Sequence, residues 1–323
     1  MKRYLVERPK DVGDSGVYLQ NGDYYTYITI RDNMTPHDTS VPSDVQITIT
    51  DPLGTDVVSG TSMTNEATGE YSYDYEIPPT APLGHYDVTI STITDRSKTH
   101  FDFYVLPWDM VQGIRERSGI EEWKSVSDEA IARIGWSAFE QVRKEVYTKH
   151  VDVVPKPDPD TGQWFDGSNT EFRTKHKYIA DYDHDDSYSQ TTNDNIDYDG
   201  DINGWWYDED WERQQLTIAV NDAKSGKITI LQDDGVTPIP RTQKGVYITY
   251  FTEYHTFHAV RFEEAVEYLA AHNIAQRFHE TDRATLVDLE SNKTIFVTDP
   301  NRLKKLYKEA INDIREPICG GTS

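Results

Sequence analysis

The hydrophobic pattern of this chain changes period once, at Leu106-Pro107-Trp108, and that change limits the fold more than any other feature. Before it, from about residue 13 to 106, apolar and polar residues alternate with a period of two. The runs are Tyr24-Tyr25-Thr26-Tyr27-Ile28-Thr29-Ile30, Val45-Gln46-Ile47-Thr48-Ile49-Thr50, Tyr71-Ser72-Tyr73-Asp74-Tyr75, Tyr86-Asp87-Val88-Thr89-Ile90 and His100-Phe101-Asp102-Phe103-Tyr104-Val105. Such alternation of β-branched and aromatic residues with polar ones gives a strand one buried face. Turn residues separate the runs at Asn21-Gly22-Asp23, Asp51-Pro52-Leu53-Gly54, Ala67-Thr68-Gly69-Glu70 and Pro82-Leu83-Gly84. Short strands at this spacing, with no helix between them, predict a β-sandwich or barrel over residues 1–107.

After the switch, the spacing becomes helical. Trp108, Val111, Ile114 and Arg115 begin a short segment that Ser118-Gly119 ends. A stronger helix follows Ser125 or Ser127 as N-cap, with Asp128 and Glu129 in its first turn and Ile131, Ile134, Ala138, Val142 and Val146 along one face. Residues 151–213 interrupt this pattern with 17 acids against 5 bases and few aliphatics, and they read as an extended, hairpin-like insertion. Phe172 to Ala180 is its candidate strand. A strand pair returns at Lys227-Ile228-Thr229-Ile230-Leu231 and Val246-Tyr247-Ile248-Thr249-Tyr250-Phe251. Two helices close the chain. One has Phe262, Ala265, Val266, Leu269, Ala270, Asn273 and Ile274 on one face and Glu263, Glu264 and Glu267 on the other. The second runs from Pro300 to Arg315 on Leu303, Leu306, Tyr307, Ala310, Ile311 and Ile314, and Pro317 stops it. The expected fold is therefore multidomain: an all-β sandwich, then a mainly α-helical domain over 108–323 with a small β-hairpin, a long acidic insertion and a C-terminal arm at 300–323.

Composition narrows the function classes. Net charge is −24, with 35 Asp and 21 Glu, so the surface repels phosphates and anionic lipid, and non-specific DNA binding is not expected. The same charge suits solubility in high salt, although 16 Lys against 16 Arg argues against strong salt adaptation. No run approaches the roughly 18 apolar residues of a membrane span. The start, Met1 to Gly16, carries no apolar signal region, which predicts a product made in the cytoplasm. Cys319 is the single cysteine and builds neither disulfide nor thiolate metal site within one chain.

Two resemblances follow from these residues. The succession Asp51-Pro52-x-Gly54, Thr68-Gly69-Glu70-Tyr71, Ile77-Pro78-Pro79 and Gly84-His85-Tyr86 resembles an immunoglobulin-like or macroglobulin-type sandwich, each Gly-x-Tyr turning the chain and sending an aromatic inward. The helix at Ser127-Asp128-Glu129-Ala130-Ile131, the strand Gly245-Val246-Tyr247-Ile248-Thr249-Tyr250 and the helix Phe262 to Ala271 resemble the head-to-tail connector, or adaptor, family of tailed viruses. That resemblance implies a virion protein of the neck, made in the host cytoplasm. Its subunits would form a dodecameric ring between the portal protein and a tail or neck protein. DNA would pass through the lumen without specific binding, no membrane would be involved, and the sandwich would decorate the outside.

Each candidate site also has a blander reading. Asn195, Asp197, Asp199 and Asp201 approximate a calcium loop with Gly200 at the sixth position, but Trp206 stands where the bidentate carboxylate belongs. A solvated acidic loop is the alternative. Asp181 to Asp186 with His184 is either a second metal-binding stretch or solvated acid. Trp205, Trp206 and Trp211 beside Tyr207 form either a carbohydrate or partner platform or an internal anchor. Arg302, Lys304, Lys305, Lys308 and Ile318 mark a basic arm toward a negative partner, or else a helix that simply closes the core. Apart from calcium, no cofactor is indicated. No hydrolase, zincin or phosphate-loop motif appears, and His255 and His258 near Glu253 more plausibly end a strand than act as acid and base. The chain is thus expected not to be an enzyme. The alternatives to an adaptor are a binding module or adhesin that uses the sandwich and the Trp cluster, and a carbohydrate-binding hydrolase.

Overall fold

Pro107 cannot continue a sheet ladder, and the chain passes from its tenth strand to its first helix within three residues of it. The computed structural model describes residues 5–7, 17–19, 22–32, 35–36, 44–79, 81–93, 98–120, 126–157, 164–182, 188, 190, 200–241, 245–254, 259–280, 285–288 and 293–315. It divides into two compact units, Met1–Trp136 with Asn273–Thr298, and Ser137–His272 with Asp299–Ser323. The division falls within two helices of the chain.

The first unit holds a β-sandwich. Its strands are β1 (Leu5–Glu7), β2 (Val17–Leu19), β3 (Asp23–Asp32), β4 (Thr35–Pro36), β5 (Val45–Thr50), β6 (Asp56–Ser62), β7 (Thr64–Ala67), β8 (Glu70–Glu76), β9 (Gly84–Thr92) and β10 (Lys98–Leu106). One sheet runs β1-β3-β8-β7 with β4 on β3, and the other β2-β10-β9-β5-β6. All pairings are antiparallel except β2 on β10. Period-two residues meet in the interior: Tyr24 of β3 stacks across the sheets on Phe103 of β10 with centroids 4.2 Å apart, and Tyr86, the cross-strand neighbour of Phe103 on β9, stacks on the same ring at 4.9 Å. Tyr71 and Tyr86, the aromatics after each Gly-x turn, are both fully buried. The Tyr86 hydroxyl donates to the Pro82 carbonyl at 2.9 Å, so an inward phenol keeps a partner. Gly84 has φ +128°, and a Cβ there would lie 3.1 Å from the Trp136 ring, so both backbone and space require glycine.

Helix α1 (Met110–Ser118) begins where Asp109 accepts the N–H of Gln112 and ends at left-handed Gly119. Helix α2 (Asp128–Val146) is capped by Ser127, whose hydroxyl accepts from the N–H of Ala130 at 3.2 Å. Arg115 of α1 reaches Asp128 at 2.6 Å and the Val126 carbonyl at 2.7 Å, which fixes the start of α2.

The second unit departs from the mainly helical expectation. Its centre is a seven-stranded sheet in the order β11-β17-β14-β15-β16-β13-β12, curled into a half-barrel. The strands are β11 (Thr148–Val153), β12 (Lys156–Pro157), β13 (Glu171–Arg173), β14 (Ile202–Tyr207), β15 (Arg213–Asp222), β16 (Lys227–Gln232) and β17 (Val246–Thr252). Residues 151–213 are therefore not a hairpin-like appendage: they supply β12, β13 and β14, half of β11, and the first residue of β15. The physical reason is that the segment borrows its core. Phe172, Ile202 and Trp206 come from the acidic stretch, and Leu216, Ile218, Ile228, Ile230, Val246, Ile248 and Tyr250 lie outside it. Of the candidate strand 172–180, only the first two residues pair with strands β12 and β16, and Ile179 makes an isolated bridge to Thr252.

Helix α3 (Ala259–Glu280), strands β18 (Thr285–Asp288) and β19 (Lys293–Phe296), and helix α4 (Pro300–Arg315) complete the order. Around α3, Glu267 is buried together with Ala271 and Ala275, so its apolar face is wider than the sequence stripe. Within the second unit, Phe139 of α2 meets Phe262 of α3 edge-on at 5.6 Å, and Tyr147 meets Tyr182, which stacks on Phe251 of β17 at 3.7 Å. Helices and sheet are joined through these rings.

Candidate functional site

Helix α4 starts at Asp299, whose carboxylate accepts the N–H of Asn301 at 3.0 Å. It buries Leu303, Tyr307, Ala310, Ile311 and Ile314. Its register then leaves Arg302, Lys304, Lys305 and Lys308 exposed on the outer side. Only Lys305 has an acid near it among the described residues, Glu309 at 3.6 Å. The inner side is tied down by Arg315 to the Glu145 carbonyl at 2.6 Å and by Arg261 to Asp313 at 3.3 Å. A row of cations on a fixed helix, in a chain of net charge −24, attracts an anionic surface. Ile318 lies outside the described residues.

Of the proposed calcium ligands, Asn195, Asp197 and Asp199 also lie outside the described residues. Asp201 is fully buried, and its carboxylate accepts the backbone N–H of Tyr182. That oxygen is committed to holding Tyr182. Among the described residues no three His, Cys, Asp or Glu side chains converge as a metal cluster. His184, His255 and His258 fall outside the description.

The tryptophan cluster is divided by the strand pleat. Trp206 points into the core of the half-barrel, whereas Trp205 and Tyr207 face the other way, with the Arg213 guanidinium 4.3 Å over Trp205. Trp211 is 67% exposed and holds a left-handed backbone, φ +65°. Asp208 fixes that turn: its Oδ1 accepts the N–H groups of Asp210 at 3.0 Å and Glu212 at 2.8 Å, and its Oδ2 accepts from Gln214. The result is a rigid turn with Trp211 among exposed Glu209, Asp210 and Glu212.

The other end of the same sheet has the opposite charge. His150 stacks on His176 at 4.1 Å, and the N–H of His176 donates to the Tyr250 hydroxyl at 3.0 Å. Lys175 and Lys177 are exposed in the same segment as His176, and Lys156 donates to the Lys175 carbonyl at 3.3 Å, whereas Lys149 lies on the opposite face of β11, 5.7 Å over the Phe251 ring. Burial, with His176 and Lys175 nearby, lowers the pKa of His150.

Glu253, which follows β17, is raised by burial to about 7, with Lys224 pulling the other way. The folded protein holds this proton more tightly than an unfolded chain, whose carboxyl ionises at 4.5. Stability from this site is full below about pH 4.5 and is lost as pH rises through 7. Allowing for its partial contact with water, the loss is about 2 kcal/mol. Denaturant titrations of wild type and Glu253→Gln across pH 4 to 8 check it: the difference between them should shift by that amount, and a constant difference contradicts it.

The first unit contributes a cleft of about 510 Å³ lined by Tyr18, Leu19, Leu106, Trp108, Val111 and Arg115. Asp109, Gln112 and Asp128 complete its lining, and its arginine is already paired with Asp128.

No family model and no curated protein sequence matches the chain. Among solved structures, the Lin-41 filamin domain is 18% identical, covers 32% of this chain and 93% of its own, and has a TM-score of 0.25. Escherichia coli alpha-2-macroglobulin activated by porcine elastase is 11% identical over 80% of this chain, with a TM-score of 0.26. The match covers 21% of the macroglobulin's own length. The Ig1 domain of mouse SynCAM 2 is 9% identical over 32% of this chain and 94% of its own, with a TM-score of 0.18. The immunoglobulin-like sandwich itself rests on the strand order and paired cores of the first unit.

Proposed function

We propose that this chain is a structural protein of a tailed virus, a head-to-tail adaptor that forms a ring between portal and tail and lets DNA pass. The observation that carries the reading is α4: its apolar stripe is buried and its four cations project outward, as a docking helix requires. The overall acidity favours a lumen to which DNA does not adhere. The sandwich then decorates the ring.

The test is Lys304→Glu with Lys305→Glu, which alters exposed side chains and leaves the buried stripe intact. Co-sedimentation with portal particles should fall about tenfold in affinity, with a shallower salt dependence. Unchanged affinity and salt slope would remove α4 from the portal contact. Failure of the wild-type chain to associate with portal particles would remove the adaptor reading itself.

A further inference from the structure

The cleft in the first unit arises where the sandwich gives way to helix. Strand β2 lies at the edge of its sheet, pairs with β10 and stops at Leu19, opposite Leu106. Pro107 then takes the chain out of the ladder, and α1 starts at Met110. The notch between strand ends and helix has a volume of about 510 Å³, the size of a site for a small molecule or a short piece of peptide. One wall is apolar: Tyr18, Leu19, Leu106, Trp108 and Val111, with Leu19 44% exposed. Tyr18 is braced edge-on against Tyr24 at 5.2 Å and Phe103 at 5.4 Å, so this wall is fixed before any ligand arrives.

Asp109, Gln112, Arg115 and Asp128 form the polar wall, and acceptors outnumber donors there. The Arg115 guanidinium is engaged: Nε and Nη2 both donate to Oδ1 of Asp128, at 3.0 and 2.6 Å, and Nη2 also donates to the Val126 carbonyl. Asp109 spends Oδ1 on the Gln112 N–H, and the Gln112 amide donates to Glu116 at 2.7 Å. Among the described residues, no donor reaches Oδ2 of Asp109, Oδ2 of Asp128 or Oε1 of Gln112. Two carboxylates against one guanidinium leave the wall net negative. The helix N-termini offset little of this, because Asp109 already caps α1 and Ser127 caps α2. A matching ligand brings donors and positive charge to one wall and apolar area to the other. The geometry points to a binding site for a guanidinium on an apolar stem, the group that an arginine side chain or a free alkylguanidine presents. Its planar set of donors can meet two carboxylates at once, and its weakly hydrated faces lie well against aromatic rings. An anion would meet only surplus acceptors. The site belongs to the first unit and is independent of the adaptor reading.

Calorimetric titration of the full chain tests the site with three probes: acetyl-Leu-Arg-amide, the same peptide carrying citrulline, and butylguanidine. Citrulline keeps the shape of the side chain and removes its charge. The arginine peptide should bind about tenfold more tightly than the citrulline peptide, with an affinity that falls as salt rises. Asp109→Asn keeps a side-chain oxygen for the Gln112 N–H and removes the carboxylate, so the fold should persist while this preference shrinks. Butylguanidine that binds as tightly as the arginine peptide assigns the site to free guanidines. A peptide that binds more tightly assigns it to a segment of a partner protein, and either result upholds the site. Equal binding of the arginine and citrulline peptides overturns it. So does an unchanged preference in folded Asp109→Asn, because the charge would then act from elsewhere on this acidic chain. No saturable binding of either guanidine at about 10 mM overturns it as well. If Asp109→Asn fails to fold, the citrulline comparison on the wild-type chain still decides.

Discussion

Replacing Arg143 with alanine is expected to destabilise the protein by about 3 to 5 kcal/mol, because it removes one partner from a buried polar network. Arg143 is 2% exposed in α2. Its guanidinium donates to the Tyr182 carbonyl at 3.1 Å and to Glu140 at 3.0 Å. The same group lies 4.0 Å from the centre of the Tyr182 ring and 5.1 Å from that of Phe139. Alanine leaves the Tyr182 carbonyl without this donor and opens a void beside both rings. Tyr182 stacks on Phe251, so the loss reaches β17. Arg143→Met keeps most of the volume and the stem contacts, and should cost roughly half as much. Chemical denaturation with an unchanged m-value measures both variants, and a cost under about 1 kcal/mol for alanine would show that the network is not structural.

Gly204→Val should be comparably damaging, at about 3 kcal/mol or more, for a steric reason. Gly204 lies in β14 between β15 and β17, facing the half-barrel core. A Cβ there would sit 2.8 Å from Ile218 Cδ1, 2.9 Å from the Tyr247 carbonyl oxygen and 3.0 Å from Leu216 Cδ1. Two of these neighbours are side-chain tips that can rotate, but the Tyr247 carbonyl belongs to the backbone of β17. Relief therefore requires parting of the central ladder or loss of core contact. Thermal unfolding checks this expectation. A Tm within about 2 °C of wild type would mean that the strands tolerate a side chain at their closest approach.

These two residues show where sequence reading stops. Arg143 falls at helical spacing with Phe139 and Val146, which is a signal that it faces inward, yet on its own it reads as one more charge beside Lys144. Gly204 stands in Ile202-Asn203-Gly204-Trp205-Trp206-Tyr207, where the glycine reads as a turn residue within an acidic loop. Trp205, Trp206 and Trp211 stand out as a cluster beside Tyr207, but the sequence does not say which tryptophan is inside. The pleat decides that: Trp206 goes to the core and Trp205 to the opposite face.

The sequence alone determined what local periodicity can encode. It set the change from strand to helix at Pro107, the five main strands of the sandwich, the inward turn of Tyr71 and Tyr86, the N-cap of α2 at one of two serines, and the span and outward cations of α4. Each of these depends on residues within a few positions of one another, where alternation, capping and steric preference act directly. Tertiary structure alone decided the second unit. Its strand order brings β11 beside β17, with Thr148 opposite Thr252, and places strands of the acidic stretch between β17 and β15 and on the far side of β16. Such pairing depends on apolar area contributed by residues far apart in the chain. A segment with few aliphatics of its own can therefore be a full layer of a sheet when distant strands supply the rest of the core.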